Sequence, residues 1–162
     1  MKRIYFLTGS NIEPRLTHLR KAENEICNRL GELKMTSSIY ESESWGFEAD
    51  DAFLNQVVVV DSVESPEEVL KIILNIEIEM GRTRRSNGYS SRIIDIDILY
   101  FGDDKVDQEN LVIPHPRMHL RRFTLEPLVE LAPGFIHPSL NKTNKELLNE
   151  CDDLVKVWRY NN

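Results

Sequence analysis

Apolar positions along the chain fall into alternating and helical stretches whose order already sketches a fold. Residues 3–8, centred on Ile4-Tyr5-Phe6-Leu7, read as a strand that stops at Gly9-Ser10-Asn11. Pro14 suits a first helical turn. Leu16, Leu19, Ile26, Leu30 and Leu33 then follow roughly helical spacing, with Gly31 as the helix end. Residues 35–44 predict a second strand, 45–51 a polar loop carrying Trp45, and Phe53 to Ser62 a strong third strand around Val57-Val58-Val59-Val60. Ser65-Pro66-Glu67-Glu68 is a helix start, with Ser65 as cap, Pro66 in the first helical position and Glu68 able to close a capping box. Val69, Ile72, Ile73, Ile76 and Met80 mark one face of that helix, which ends at Gly81. A loop over 82–92 leads to a strand from Ile93 to Phe101 and a turn at Gly102-Asp103-Asp104. Pro114 and Pro116 make 103–123 mostly irregular. Short helices over 125–131 and 143–150, the latter with Thr143 and Glu146 as a capping box, precede a final strand over 154–160.

The predicted order is β, α, β, β, α, β, followed by short helices and a strand. This is the split βαβ pattern of a ferredoxin-like sandwich, α/β (α+β) in class, with a central, mainly antiparallel sheet and helices on both faces. The 162 residues fit one domain, 1–162, long enough to bury a core without disulfide or metal staples. Cys27 and Cys151 form no CxxC pair and have no histidine at ligand spacing, so a zinc site is not expected and a reducing compartment is the simpler reading. The first apolar run is too short for a signal peptide core, and nothing approaches the length of a membrane span. The expectation is a soluble, cytoplasmic protein with no membrane partner.

Charge changes this picture through its distribution. Residues 82–94 hold Arg82, Arg84, Arg85 and Arg92 and no acid; residues 110–125 hold Arg117, Arg121, Arg122, His115 and His119 and again no acid. These 29 residues carry +7 in a chain whose total is −7, which leaves −14 on the other 133. The acidic bulk disfavours nucleic acid as a partner. Between the two basic segments runs Ile93-Ile94-Asp95-Ile96-Asp97-Ile98-Leu99. Alternation on a strand puts Asp95 and Asp97 on one face, their backbones about 7 Å apart, where their oxygens can converge on hard cations, Mg²⁺ above all. The pair alone fits a solvent-facing strand better. With an arginine-rich loop on each side, Mg²⁺-dependent handling of a polyphosphate stands level with that reading, because the arginine fork suits multidentate phosphate contacts. No P-loop, GxGxxG or GxSxG motif occurs, Gly9-Ser10-Asn11 reads as an ordinary turn, and nothing nominates a covalent nucleophile.

Taken in order, the blocks Gly9-Ser10-Asn11, Phe53-Leu54-Asn55, Glu77 with Gly81-Arg82-x-Arg84, Arg92-x-x-Asp95-Ile96-Asp97-Ile98, Pro114-His115, Met118, Arg121 and Phe123-x-Leu125-x-Pro127-Leu128 resemble the 6-hydroxymethyl-7,8-dihydropterin pyrophosphokinases of folate biosynthesis. The resemblance covers nearly the whole chain. It implies an ATP-using diphosphotransferase that passes pyrophosphate to the pterin hydroxymethyl group and releases AMP, with ATP and the pterin as its partners and a monomer as its form. It implies that Asp95 and Asp97 hold two Mg²⁺ ions on ATP, and that these two and Arg82 and Arg92 form the catalytic set. Arg82, Arg84, Arg92 and His115 would contact the phosphates, with Glu77, Ile98 and Arg121 also on the nucleotide side. Phe53 and Phe123 would stack on the pterin, Asn55 would bond to its edge, and the segment containing Ser42, Glu43 and Trp45 would read the remaining edge beside Asp95. The chain departs from the family pattern at Tyr89-Ser90-Ser91, where Trp-Gly-Pro is common, and at Leu74, Asn110 and Pro116. His18, His119 and His137 receive no role, and Trp158 is expected in the core. Two rival readings of the same topology are a small-ligand regulatory module, which would need no Mg²⁺, and an RNA-binding sheet, which the exposed aspartates disfavour.

Overall fold

The structure is a computed structural model that describes residues 1–43, 52–81 and 93–161. Its centre is strand β1, Lys2–Ser10, paired antiparallel with β4, Phe53–Ser62, on one side and with β5, Asp95–Phe101, on the other. The strand predicted over 35–44 is two strands, β2 at Glu32–Thr36 and β3 at Tyr40–Ser42, both paired with β4. Ser37 causes the break: its hydroxyl accepts the Val57 N–H at 2.9 Å while its own N–H donates to the Val57 carbonyl at 3.0 Å, so the chain steps off the ladder there. A short last strand, β8 at Val157–Arg159, adds to β3. The main sheet runs β5-β1-β4-β3-β8, with β2 beside β4, and all its pairings are antiparallel.

Helices α1, Arg15–Leu30, and α2, Pro66–Glu79, cover one face. Leu19 and Ile26 of α1 and Val69, Ile73 and Ile76 of α2 pack there on Ile4, Phe6, Val58, Val60, Ile96 and Ile98. A buried side chain of this kind contributes roughly 1.5–3 kcal/mol. Ser65 caps α2 by accepting the Glu68 N–H at 3.2 Å. The other face carries Tyr5, Leu7, Val57, Val59 and Leu99, closed by Met118 and by Leu128 of α3, Arg122–Leu131. Helix α4, Asn144–Glu150, has the expected capping box between Thr143 and Glu146, and Asn144 accepts from the buried Tyr100 hydroxyl at 2.7 Å. The segment expected to be irregular contains a small hairpin, β6 at Val106–Gln108 and β7 at Leu111–Ile113, and a 3-10 turn at Met118–Leu120. The two prolines end regular structure only after Ile113. Among the described residues no helix is long and apolar enough to cross a membrane.

Gly31 turns the chain from α1 into β2 at φ 155°, and a Cβ there would lie 2.0 Å from the Asp61 carbonyl oxygen. That contact is with backbone, so it cannot be relieved by moving a side chain. Gly31→Ala is expected to cost about 2 kcal/mol or more, which lowers the thermal midpoint by roughly 4 °C or more in a domain of this size. A melting curve that superimposes on the unsubstituted protein's would refute the close approach.

Candidate active site

The sheet register assembles the site. Gly9 of β1 stands opposite Asp95 of β5 and opposite Asn55 of β4, and Leu7 stands opposite Asp97 and Val57. Odd-numbered residues of β1 and β4 point to the α3 face, so Asp95, Asp97 and Asn55 share that face, at the end of the sheet where β1 runs out. Ile96 and Ile98 point the other way into the α1–α2 core. The alternation read from the sequence holds through Ile98. A register shift opposite Tyr5 and Phe6 then leaves Leu99 as an extra residue, so that Leu99 and Tyr100 both reach the α3-face core. Ile98, assigned to the nucleotide side, therefore has its side chain across the sheet from the carboxylates and 5% exposed.

Asn55 is buried, and its amide donates to the Ser42 hydroxyl at 3.3 Å. A Cβ on Gly9 would come within 2.8 Å of the Asn55 Oδ1. The missing side chain is what lets the amide lie across β1 between the aspartates and β3. By its local sequence this glycine is an ordinary turn residue; the placing of Asn55 and Asp95 against it in the ladder is invisible without the register. Phe53, opposite Ser42, is half-buried on the same face. Ser42 itself is buried, and Glu43 is exposed with its N–H on the Lys156 carbonyl at 3.2 Å. Arg15 fastens the ends of this region: its Nη1 donates to Glu41 Oε2 at 2.6 Å and to the Ala52 carbonyl at 2.8 Å. Trp158, expected in the core, is 42% exposed and donates its Nε1–H to Glu41 at 3.1 Å.

The second basic segment closes over the carboxylates. The His115 N–H donates to the Leu99 carbonyl at 3.0 Å, which hangs the residue on the outer edge of β5. Its Nδ1 accepts the Arg117 N–H at 3.1 Å, and its Nε2 lies 4.0 Å from Asp97 Oδ2. An imidazole whose Nδ1 is an acceptor carries its proton on Nε2, so a neutral donor faces Asp97. Burial, helped by the positive charge of Arg121, lowers the His115 pKa to about 4 and outweighs the opposing pull of Asp95. Arg121 stands just before α3 with its guanidinium 5.6 Å from the centre of the Phe123 ring. Arg122 belongs elsewhere. It binds Asp153 and the Cys151 carbonyl, so one of the arginines that suggested phosphate is a brace for the C-terminal segment. Glu77, 2% exposed on α2, reaches the sheet edge and accepts the Ile96 N–H at 2.8 Å. The His137 ring lies against Tyr100 and beside the His119 ring, and the His137 Nδ1 accepts the Ser139 and Leu140 N–H groups.

Among the described residues no three His, Cys, Asp or Glu side chains cluster as a metal cage. Two half-buried carboxylates on one face suit a hard cation that keeps water and takes its other oxygens from a substrate. The donor set therefore fits Mg²⁺ delivered with a polyphosphate. Trp45, Arg82, Arg84, Arg85, Arg92 and the Tyr89-Ser90-Ser91 departure lie outside the described residues. Gly81 and Ile93, which flank 82–92, are neighbours: a Cβ on Gly81 would sit 3.3 Å from Ile93 Cδ1. The two described residues on either side of that segment thus lie together, Ile93 two residues before Asp95.

Comparison with known proteins places the chain in a family. Residues 5–133 match the family model described as 7,8-dihydro-6-hydroxymethylpterin-pyrophosphokinase. The chain belongs to this family. Its relatives in the family include 2-amino-4-hydroxy-6-hydroxymethyldihydropteridine pyrophosphokinases from three bacteria. That of Porphyromonas gingivalis is 42% identical over 87% of this chain and 97% of its own length. That of Bacillus subtilis is 40% identical over 96% and 89%, and that of Aquifex aeolicus 37% over 93% and 92%. Among solved structures, the Plasmodium falciparum HPPK-DHPS wild type with pteroate superimposes with a TM-score of 0.74 at 20% identity, covering 92% of this chain and 42% of that longer one. That likeness speaks for the pyrophosphokinase family's fold, the α+β sandwich read from the element order.

The His115 environment makes a prediction for the substrate-free protein. Nitrogen-15 spectra at pH 7 are expected to show a neutral ring protonated on Nε2, titrating only near the depressed value of about 4. Because the unfolded chain takes up this proton at a higher pH than the folded one, the contribution to stability is complete above about 6.5 and is lost as pH falls from there towards 4. A midpoint at 6.5 or above would contradict the burial argument.

Proposed function

We propose that the chain, acting as one catalytic unit over 1–162, transfers the pyrophosphoryl group of ATP to 6-hydroxymethyl-7,8-dihydropterin, a step of folate biosynthesis. The observation that carries this reading is the register that lines up Asp95, Gly9 and Asn55 across three strands. It puts the carboxylates of Asp95 and Asp97 next to a hydrogen-bonding amide, with an aromatic strand residue alongside, which supports a site for cation and pterin. In the transfer the hydroxymethyl oxygen bonds to the β-phosphorus, and the bond from that phosphorus to the oxygen bridging the α-phosphorus breaks. AMP departs with that electron pair, and the hydroxyl proton is lost to water.

Asp95 and Asp97 are the residues that would hold the divalent ions, two by analogy with the family. Such ions, when bound, neutralise and polarise phosphate oxygens. His115 offers an uncharged N–H donor to a phosphate oxygen beside Asp97, and Arg121 offers a fixed positive charge. Arg82, Arg84 and Arg92 enter the proposal on the sequence resemblance, as phosphate ligands on the segment that precedes Ile93. Asn55 and Ser42 present buried polar groups to the pterin edge, with Glu43 and Trp45 following on that segment, and Phe53 and Phe123 present ring faces for stacking. Glu77 and Ile98 are better placed to shape β5 than to touch nucleotide with their side chains. No residue is assigned as general base, because positioning and charge neutralisation account for most of the catalysis in phosphoryl transfer. A cytoplasmic monomer without nucleic-acid or membrane partners completes the reading.

Incubation with ATP, Mg²⁺ and the pterin alcohol is expected to give AMP and the pterin diphosphate in equal amounts. ADP as the nucleotide product would overturn pyrophosphoryl transfer. Asp97→Ala is expected to lower turnover by about a hundredfold or more, since loss of a metal-held charge contact removes several kcal/mol of transition-state stabilisation. The same variant should keep the unsubstituted protein's circular dichroism. Full activity of Asp97→Ala at saturating Mg²⁺ would remove the metal role.

A further inference from the structure

We infer that Glu77 is a positioning residue: by holding the Ile96 N–H from outside the sheet, it sets the spacing and direction of Asp95 and Asp97. The inference deepens the proposed reaction and rests on it for the identity of the metal site. Among the described residues β5 ends the main sheet and pairs there only with β1. The N–H groups along its outer edge meet no further strand of that sheet, and an unpaired edge is free to twist and fray. Ile96 is the residue between the two aspartates, and its N–H points out of the sheet to Glu77 Oε2 at 2.8 Å. A carboxyl oxygen accepting at this distance makes a directional bond. Further along the same strand, the Leu99 carbonyl receives the His115 N–H. The strand is thus held from outside at Ile96, between the two carboxylates, and again at Leu99, two residues past Asp97.

The position of Glu77 in α2 argues that it has a polar task and is not there for packing alone. It is 2% exposed beside the apolar stripe of Val69, Ile73 and Ile76, where an apolar side chain would satisfy the packing. Burying a carboxylate in such a stripe is costly unless it is hydrogen-bonded. Partners one step removed from a metal typically govern about ten- to a hundredfold in its affinity, and Glu77 stands in that relation to both ligands through one main-chain N–H.

The test compares Glu77→Met, similar in size but unable to accept, with Glu77→Gln, which keeps an acceptor oxygen. In the unsubstituted protein, nuclear magnetic resonance should detect coupling across the hydrogen bond between the Ile96 nitrogen and the Glu77 carboxyl carbon. Its absence would overturn the proposal without any variant. Glu77→Met is expected to speed hydrogen exchange at the Ile96 amide by about tenfold or more while β1 amides keep their protection. The same change should weaken Mn²⁺ binding, measured with a non-hydrolysable ATP analogue, by about tenfold or more, and Glu77→Gln should stay within about threefold on both readouts. Overturning results are Mn²⁺ affinity in Glu77→Met within about twofold of the unsubstituted protein, or Glu77→Gln as impaired as Glu77→Met, which would make the charge the agent and not the bond. Should Glu77→Met lose β1 protection as well, the coupling and Glu77→Gln decide. Failure of the proposed reaction would show separately, as absence of AMP formation by the unsubstituted protein, with the Ile96 readouts unaffected.

Discussion

Strand β1 is hydrogen-bonded along both edges, and the register of those two ladders governs what the molecule can do. Gly9 faces Asp95 on one side and Asn55 on the other, while Leu7 faces Asp97 and Val57. A slip of one residue would exchange the two faces of β5, sending the carboxylates into the α1–α2 core and the isoleucines out. The apolar pattern prevents that slip. Ile4, Phe6, Ile96 and Ile98 are all buried under the two helices, and exposing that set would forfeit many kcal/mol of burial. The hydrophobic core thus acts as the device that aims the chemistry.

Two different environments meet at β5. On the α3 side the carboxylates are half-buried and share the space with a neutral imidazole and an arginine stacked on Phe123. On the edge, α2 supplies a buried carboxylate that binds the main chain of β5. The free edge of the sheet, a hazard in many proteins, is here occupied by a side chain from α2 and by the chain entering the second basic segment. The acid-free stretches concentrate positive charge in two parts of an acidic chain, and a polyanion carrying its own cations can balance that charge.

Much of this is legible in the amino-acid sequence. Alternation in 93–99 places the aspartates on one face, and the Ser65 and Thr143 caps mark helix starts through short-range hydrogen bonds that depend on a few neighbouring residues. The strand-forming Val57 to Val60 and the helical stripe of α2 are equally plain. Where structure and local pattern differ, the causes can be named. Ser37 breaks a strand by bonding to Val57, 20 residues away. Arg122 is drawn off by Asp153, and Trp158 is drawn to the surface by Glu41. The 106–113 hairpin is masked because prolines just beyond it suggest irregular chain. In the first three cases a distant partner, unseen in local sequence, outweighs the local preference.

What the sequence alone determined is the inventory and its order: an antiparallel α+β frame, two carboxylates facing one way, and arginine-rich stretches on either side of them. Periodicity and charge are local properties, and the resemblance of ordered blocks to a pyrophosphokinase family adds their joint meaning. Tertiary structure decided which of these residues meet. Gly9 became part of the site because Asn55 crosses it, and Glu77 became a support for the aspartates because α2 packs on the sheet edge. Arg122 left the site because the C-terminal segment claims it. Such assignments depend on contacts between residues tens of positions apart, and those are set by packing and register, for which no single stretch of chain carries the signal.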